Sequence, residues 1–115
     1  MKIRNDRLYL YDIVECCEKI AQYISGKTEE YLHDTPILQD ALVRNIEIIG
    51  EASKNLTDEL RLNNPQIGWR EIMRMRDKVV HHYFRLNLEI IWQTVTQDVP
   101  NLKPEVEEIL KKISE

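Results

Sequence analysis

The apolar residues of this chain recur every three to four positions, which is the spacing of an amphipathic helix. Between Asp6 and Ser25 two neighbouring apolar stripes predict one helix that is buried on more than one side. Gly26 follows as the predicted C-cap, because glycine readily takes the left-handed conformation that ends a helix. The two stripes consist of Tyr9, Leu10, Ile13, Val14, Cys16, Cys17, Ile20, Ala21, Tyr23 and Ile24.

A second helix is predicted to begin at Thr35-Pro36, where a capping residue precedes a proline suited to the first helical turn. A short helical turn or loop at 28–33 leads into it. The apolar rhythm continues to about Leu62, and the residues at 63–65 end it with two asparagines and a proline. Gly50 costs stability in the middle of this helix, which indicates a close approach by another helix. The predicted core stripe is Leu38, Leu42, Ile46, Ile49, Ser53, Leu56 and Leu60.

The remaining chain predicts three further helical segments. One begins at Trp69 and ends near His81, and Asn87 caps the next, whose apolar rhythm runs to residue 99. Pro100 and Pro104 predict a break before a last amphipathic helix. No stretch alternates as a strand would, so the pattern predicts an all-α, up-and-down bundle of four long helices plus short ones.

Composition supports a single helical domain at 1–115. Charged residues make up 31% and apolar residues 43% of the chain, and only three glycines and four prolines interrupt it, which suits a globular protein with long helices. No apolar run is long enough for a membrane span and no signal-peptide core is evident, so we expect a cytoplasmic protein without a membrane partner. Cys16 and Cys17 are adjacent in a helix and are expected to be reduced thiols.

The charge is distributed unevenly. The net charge of −4 argues against a broadly basic nucleic-acid binder. The stretch 70–85, however, carries five basic residues against two acidic ones, a local charge of +3, while the rest of the chain carries 11 against 18, or −7. A local basic patch on an acidic body suits focused contact with a phosphodiester, although a solvated charged surface would give the same composition.

The richest chemistry lies in the segment 73–84, where Arg76, Asp77, His81 and Tyr83 occur together. On a helical wheel counted from Trp69, Arg76 falls among the apolar residues, a costly position unless it is paired or faces a cavity or a partner. Asp77 and His81 are four apart, so they can hydrogen-bond on one helix. Arg76 and His81 point in different directions, so a common site needs a helix end near His81 or a second chain.

The same residues can also be explained by purely structural roles. Arginine and histidine near a helix C-terminus complement the helix dipole, and Tyr83 could be a core aromatic. The second helix carries Asp40, Arg44, Glu47, Glu51 and Lys54 opposite its core stripe. These residues are either ordinary solvated salt bridges, or they supply Glu47 or Glu51 as a partner for Arg76.

The chain resembles the HepT-like family of HEPN-domain proteins, which are the toxins of prokaryotic toxin–antitoxin pairs. The resemblance covers nearly the whole chain and rests on the segment at 40–52, on Trp69-Arg70-Glu71-Ile72, and on the segment from Arg76 to Phe84. The family pattern Arg-x4-His-x-Tyr is matched at Arg76, His81 and Tyr83. Many relatives carry asparagine after the arginine, where this chain has Asp77.

The resemblance implies a homodimeric RNA endonuclease that needs no metal or other cofactor. It assigns Arg76 as the phosphate clamp and His81 as the acid or base, with Asp77 as the residue that orients His81. Glu47 and Glu51 are possible supporting residues. It further implies a type VII-like system in which an MntA-like nucleotidyltransferase antitoxin silences the toxin by adding AMP to Tyr83. The alternative function is a non-catalytic helical binding partner of such a nucleotidyltransferase. A neighbouring reading frame with a nucleotidyltransferase motif would establish the pairing.

Overall fold

The computed structural model describes residues 2–80 and 85–113 of the chain, with side chains from residue 5 onward. Within these ranges the elements are α1 (Lys2–Ile24), α2 (Glu29–His33), α3 (Pro36–Asn55), α4 (Asp58–Asn63), α5 (Trp69–Met73), α6 (Met75–Val79), α7 (Leu88–Gln93), a π-helical segment (Thr94–Asp98) and α8 (Val99–Ile113). The predicted all-α class is confirmed. In the described ranges the only extended pairing is an isolated bridge between Val80 and Leu86.

The helices pack around one apolar core in which α1 lies against both α3 and α8. Every member of the predicted core stripe on the second helix is buried, from Leu38 to Leu60. Gly26 takes a positive φ of 71° at the end of α1, as its predicted capping role requires. The side chain of Asn87 accepts a hydrogen bond from the Ile90 amide at 3.1 Å, which confirms the predicted cap of α7.

The second helix is shorter than predicted because it ends at Asn55 and not at Leu62. Leu56 leaves the helix with ψ at 149°, and Thr57 caps α4 by accepting a hydrogen bond from the Leu60 amide. Asp6, buried in α1, accepts hydrogen bonds from the Thr57 amide at 2.9 Å and the Thr57 hydroxyl at 2.7 Å. The break is therefore fixed by a residue 51 positions away, while Leu56 and Leu60 both stay in the core.

Replacing Asp6 with alanine should lower the free energy of unfolding by about 1.5–3 kcal/mol, the range for losing hydrogen bonds to a charged group. The substitution leaves the Thr57 amide without its acceptor at a partly buried position. Urea denaturation measures the change. Asp12→Ala, at an exposed position of the same helix, serves as the control and should alter stability by no more than about 0.5 kcal/mol. Equal stability of the two variants would show that Asp6 does not hold the break.

The expected break at Pro100 and Pro104 is also wrong, because α7, the π-helical segment and α8 follow one another without interruption. The Val99 amide donates to the Thr94 carbonyl, five residues back, as in a π-helical turn. Pro100 then lies in the first turn of α8, where a missing N–H is tolerated. Pro104 lies inside α8 with an exposed side chain, while Leu102 and Val106 remain buried. Burial of this apolar face against α1 holds the helix together through both prolines.

Cys16 and Cys17 are free thiols buried in the core. Burial raises the pKa of Cys16 to about 11 and that of Cys17 to about 12. Because the thiolate is the reactive form, both residues act as small apolar core groups near neutral pH.

Candidate functional site

The candidate site is a cleft of about 430 Å³ between α3 and the α5–α6 segment. Its position depends on Gly50, which is buried in the middle of α3. A Cβ atom at Gly50 would lie 3.3 Å from the Ile72 carbonyl oxygen and 3.5 Å from that of Met73. The predicted close helix approach is thus confirmed, and α5 is the helix that approaches. The cleft is lined by Arg44, Glu47, Ile48, Gly50, Glu51, Lys54, Met73, Arg76 and Asp77.

The helix that carries Arg76 is interrupted at Arg74, whose backbone ends α5 and begins α6. This interruption changes the helical register, so the wheel counted from Trp69 does not extend to Arg76. Met75 and Val79 are buried in its place. The prediction that Arg76 lies among the apolar residues is wrong: its side chain is exposed and lines the cleft.

Two carboxylates flank the Arg76 guanidinium. Its Nε lies 3.8 Å from Oε2 of Glu47, and its Nη1 lies 3.9 Å from Oδ1 of Asp77. Both distances exceed hydrogen-bond length, and all three side chains are at least two-fifths exposed, so each ion pair stabilises the fold by about 0–1 kcal/mol at most. Neither carboxylate is therefore close enough to accept a hydrogen bond from the guanidinium.

Of the two glutamates proposed as partners of Arg76, Glu47 makes the ion pair. Glu51 lines the same cleft, but within the described residues no ion pair of Glu51 is found. The cleft also contains Arg44 and Lys54, to which no individual role was assigned from the sequence. Their place in the cleft could have been predicted from the three- and four-residue steps between charged residues on the second helix, because such steps put the side chains on one side of α3.

The chain leaves α6 through Val80, which is extended, and returns at Leu86. The Asn87 amide donates to the Val79 carbonyl at 2.8 Å, so the backbone on either side of residues 81–84 is held together. His81 and Tyr83, both predicted site residues, lie outside the described residues. The helical spacing that connected Asp77 with His81 ends at Val79, since Val80 is no longer helical.

The five basic side chains between residues 70 and 85 are all exposed, so the predicted basic patch faces solvent.

Across residues 2–80 and 85–113 no group of three or more His, Cys, Asp or Glu side chains could hold a metal ion. In the same ranges no helix is long and apolar enough to cross a membrane. Fold and site together define a small all-α domain with a charged cleft, whose arginine belongs to an Arg-x4-His-x-Tyr sequence.

Comparison with known proteins identifies the family. Residues 13–109 match the family model described as "Ribonuclease HepT-like". The chain is 41% identical over 109 residues to a protein of Thermococcus cleftensis named "Probable ribonuclease HepT", covering 94% of this chain and 98% of the relative. This chain therefore belongs to the HepT-like ribonuclease family.

Two further relatives match over nearly their whole length. A candidate RNase of Caldanaerobacter subterraneus subsp. tengcongensis is 42% identical over 110 residues, covering 96% of this chain and 98% of the relative. A candidate RNase of Methanocaldococcus jannaschii is 43% identical over 114 residues, covering 98% and 93%. No solved structure matches this chain.

Proposed function

We propose that this chain is a metal-independent RNA endonuclease and the toxin of a type VII-like toxin–antitoxin pair. The observation that carries the proposal is the placement of Arg76: an exposed guanidinium in a cleft, within 4 Å of two carboxylates, at the helix that precedes the His81 segment. Membership of the HepT-like ribonuclease family and the names of three relatives support it.

The proposed reaction uses the ribose 2′-hydroxyl as the nucleophile. A base removes its proton, the oxygen attacks the adjacent phosphorus, and the bond to the 5′-oxygen breaks as that oxygen gains a proton. His81 is the candidate base or acid, since imidazole titrates near neutral pH. Arg76 binds the phosphoryl oxygens on which negative charge develops, because guanidinium offers paired donors and stays charged. Asp77 would orient His81, with Glu47 and Glu51 in support.

The protein is proposed to act as a homodimer in which the two motifs meet across the two-fold axis. The homodimer rests on the family resemblance, and in it each cleft can receive a group from the partner. The distinguishing experiment is RNA cleavage by the purified protein in excess EDTA. Cleavage is expected to persist, whereas loss of cleavage in EDTA would contradict the mechanism. An inactive protein that still binds a nucleotidyltransferase would favour the non-catalytic alternative.

The regulatory proposal is that a nucleotidyltransferase antitoxin attaches AMP to Tyr83. The phenol oxygen attacks the α-phosphorus of ATP, pyrophosphate leaves, and a base of the transferase takes the phenol proton. The attached phosphodiester adds a negative charge and a bulky nucleoside to the motif, and a phosphate that binds Arg76 would compete with the substrate phosphate.

Tyr83→Phe should therefore retain most RNA cleavage yet resist silencing by the antitoxin and ATP. Intact-mass spectrometry should show AMP-sized additions on the wild type and none on the variant. The chain supplies its own controls, because Tyr11, Tyr23 and Tyr31 are exposed and Tyr9 is half-buried. Labelling of any of these four, or equal labelling of Tyr83→Phe, would contradict the assignment.

A further inference from the structure

Arg61, on α4, connects the two helices that form the walls of the cleft. Its Nη1 donates to the Ser53 carbonyl at 2.9 Å and to the Lys54 carbonyl at 3.3 Å. Both carbonyls belong to the last turn of α3, where a helix leaves its carbonyl groups without helical partners. The same Nη1 lies 3.6 Å from the sulfur atom of Met73, the last residue of α5. One nitrogen therefore joins the end of α3 to the end of α5.

The Arg61 guanidinium is held in place by a second contact. Its Nη2 donates to Oδ1 of Asp58, three residues earlier, at 2.6 Å. The Arg61 side chain is only 21% exposed, so water and salt screen its interactions less than those of a surface arginine. Arg61 is not among the residues that line the cleft, whereas Lys54 and Met73 are. Arg61 therefore affects the site through these neighbours and does not touch the substrate.

The α5–α6 segment meets α3 at three successive points. Arg61 holds Met73 at the end of α3, and Gly50 lies one turn earlier, close to the carbonyl groups of α5. Glu47 lies a further turn earlier and pairs with Arg76 at 3.8 Å. The segment thus runs antiparallel to α3. Because Arg76 follows Met73 by only three residues, the position of Met73 determines where the Arg76 guanidinium reaches into the cleft.

We propose that Arg61 is a positioning residue for RNA cleavage, which fixes the end of α5 against the end of α3 and so places Arg76 in the cleft. This inference rests on the proposed function, in which Arg76 binds the phosphoryl oxygens. A thioether is a weak acceptor. The carbonyls of α3 and the Asp58 carboxylate therefore hold the guanidinium, and Met73 packs against a group that is already fixed. A displacement of about 1 Å at a group that contacts the transition state can lower a rate about 10²-fold.

Arg61→Ala should lower kcat for RNA cleavage about 10–10²-fold with little change in KM, because RNA still enters the cleft but Arg76 is displaced. Arg61→Lys keeps the charge but has no fork of donors, so it should recover part of kcat. Rates are measured on a labelled RNA in EDTA, at a temperature where circular dichroism shows every variant to be folded. Under these conditions a loss of stability alone does not lower kcat.

A double-mutant cycle separates the positioning of Arg76 from a general structural role. If Arg61 acts through Arg76, its removal has no further effect once Arg76 is absent. The double variant R61A/R76A should therefore cleave RNA at the rate of Arg76→Ala. Two losses that multiply in the double variant would overturn the proposal. Arg61→Lys in place of Arg61→Ala gives the same cycle if the alanine variant does not fold.

Arg7→Ala is the matched control. Arg7 is also a half-buried arginine that donates to a carbonyl at a helix end, that of Ile113 at 3.1 Å, and it does not line the cleft. This variant should keep the kcat of the wild type. An unchanged kcat in Arg61→Ala, or an equal loss in Arg7→Ala, overturns the role of Arg61 and leaves the proposed function standing. A wild type that does not cleave RNA in EDTA overturns the proposed function together with the role of Arg61.

Discussion

Replacing His81 with alanine is expected to reduce the rate of RNA cleavage about 10²–10⁴-fold, which is the usual effect of losing a positioned acid or base. An imidazole near neutral pH can both accept the proton of the 2′-hydroxyl and donate one to the leaving oxygen. The rate is measured on a labelled RNA in EDTA, so that contaminating metal-dependent nucleases do not contribute.

The adjacent histidine provides the control for this prediction. His82→Ala removes the same chemical group one position along the chain and is expected to change cleavage far less. Circular dichroism establishes that both variants remain folded. If His81→Ala cleaves RNA normally, or if both variants lose activity equally, the assignment of His81 is wrong.

Arg76→Ala is expected to lower the cleavage rate about 10²–10³-fold, the typical effect of removing one donor to a developing negative charge. The effect on stability should be small, because the ion pairs of Arg76 with Glu47 and Asp77 are long and exposed. Arg76→Lys keeps the charge but loses the paired donors, so it should recover only part of the rate.

Arg74→Ala is the matched control for Arg76. Arg74 is an exposed cation two residues earlier, and it does not line the cleft. A general role of the basic patch in attracting RNA would give similar losses at both positions and a strong dependence on salt. A large loss at Arg76 alone indicates a specific phosphate contact.

Substitution of Glu47 tests whether this carboxylate helps Arg76 to bind the substrate or orients Arg76 for the transition state. Glu47→Gln removes the nearest charge from Arg76 while keeping the size of the side chain. A larger effect on kcat than on KM would indicate that Glu47 orients Arg76 in the transition state, because uniform binding effects appear in KM.

The site could be predicted in part. The sequence offered Arg76 as a candidate site cation, and the spacing of charged residues along the second helix offered Glu47 or Glu51 as its ion-pair partner. Only the packing of α6 against α3 showed which of the two glutamates makes the ion pair with Arg76. The wheel position of Arg76 among the apolar residues was predicted wrongly, since the interruption at Arg74 changes the register between Trp69 and Arg76.

By itself the sequence determined the helical class, the core stripe of the second helix, and the caps at Gly26 and Asn87. These features depend on periodicity and on local backbone preferences, which neighbouring residues carry. The tertiary structure decided where the helices are interrupted or continuous. Asp6 ends the second helix because it accepts hydrogen bonds from Thr57, which lies 51 positions later in the chain. Packing against α1 keeps α8 helical despite its two prolines. Such effects come from contacts between distant segments, and local patterns do not contain them.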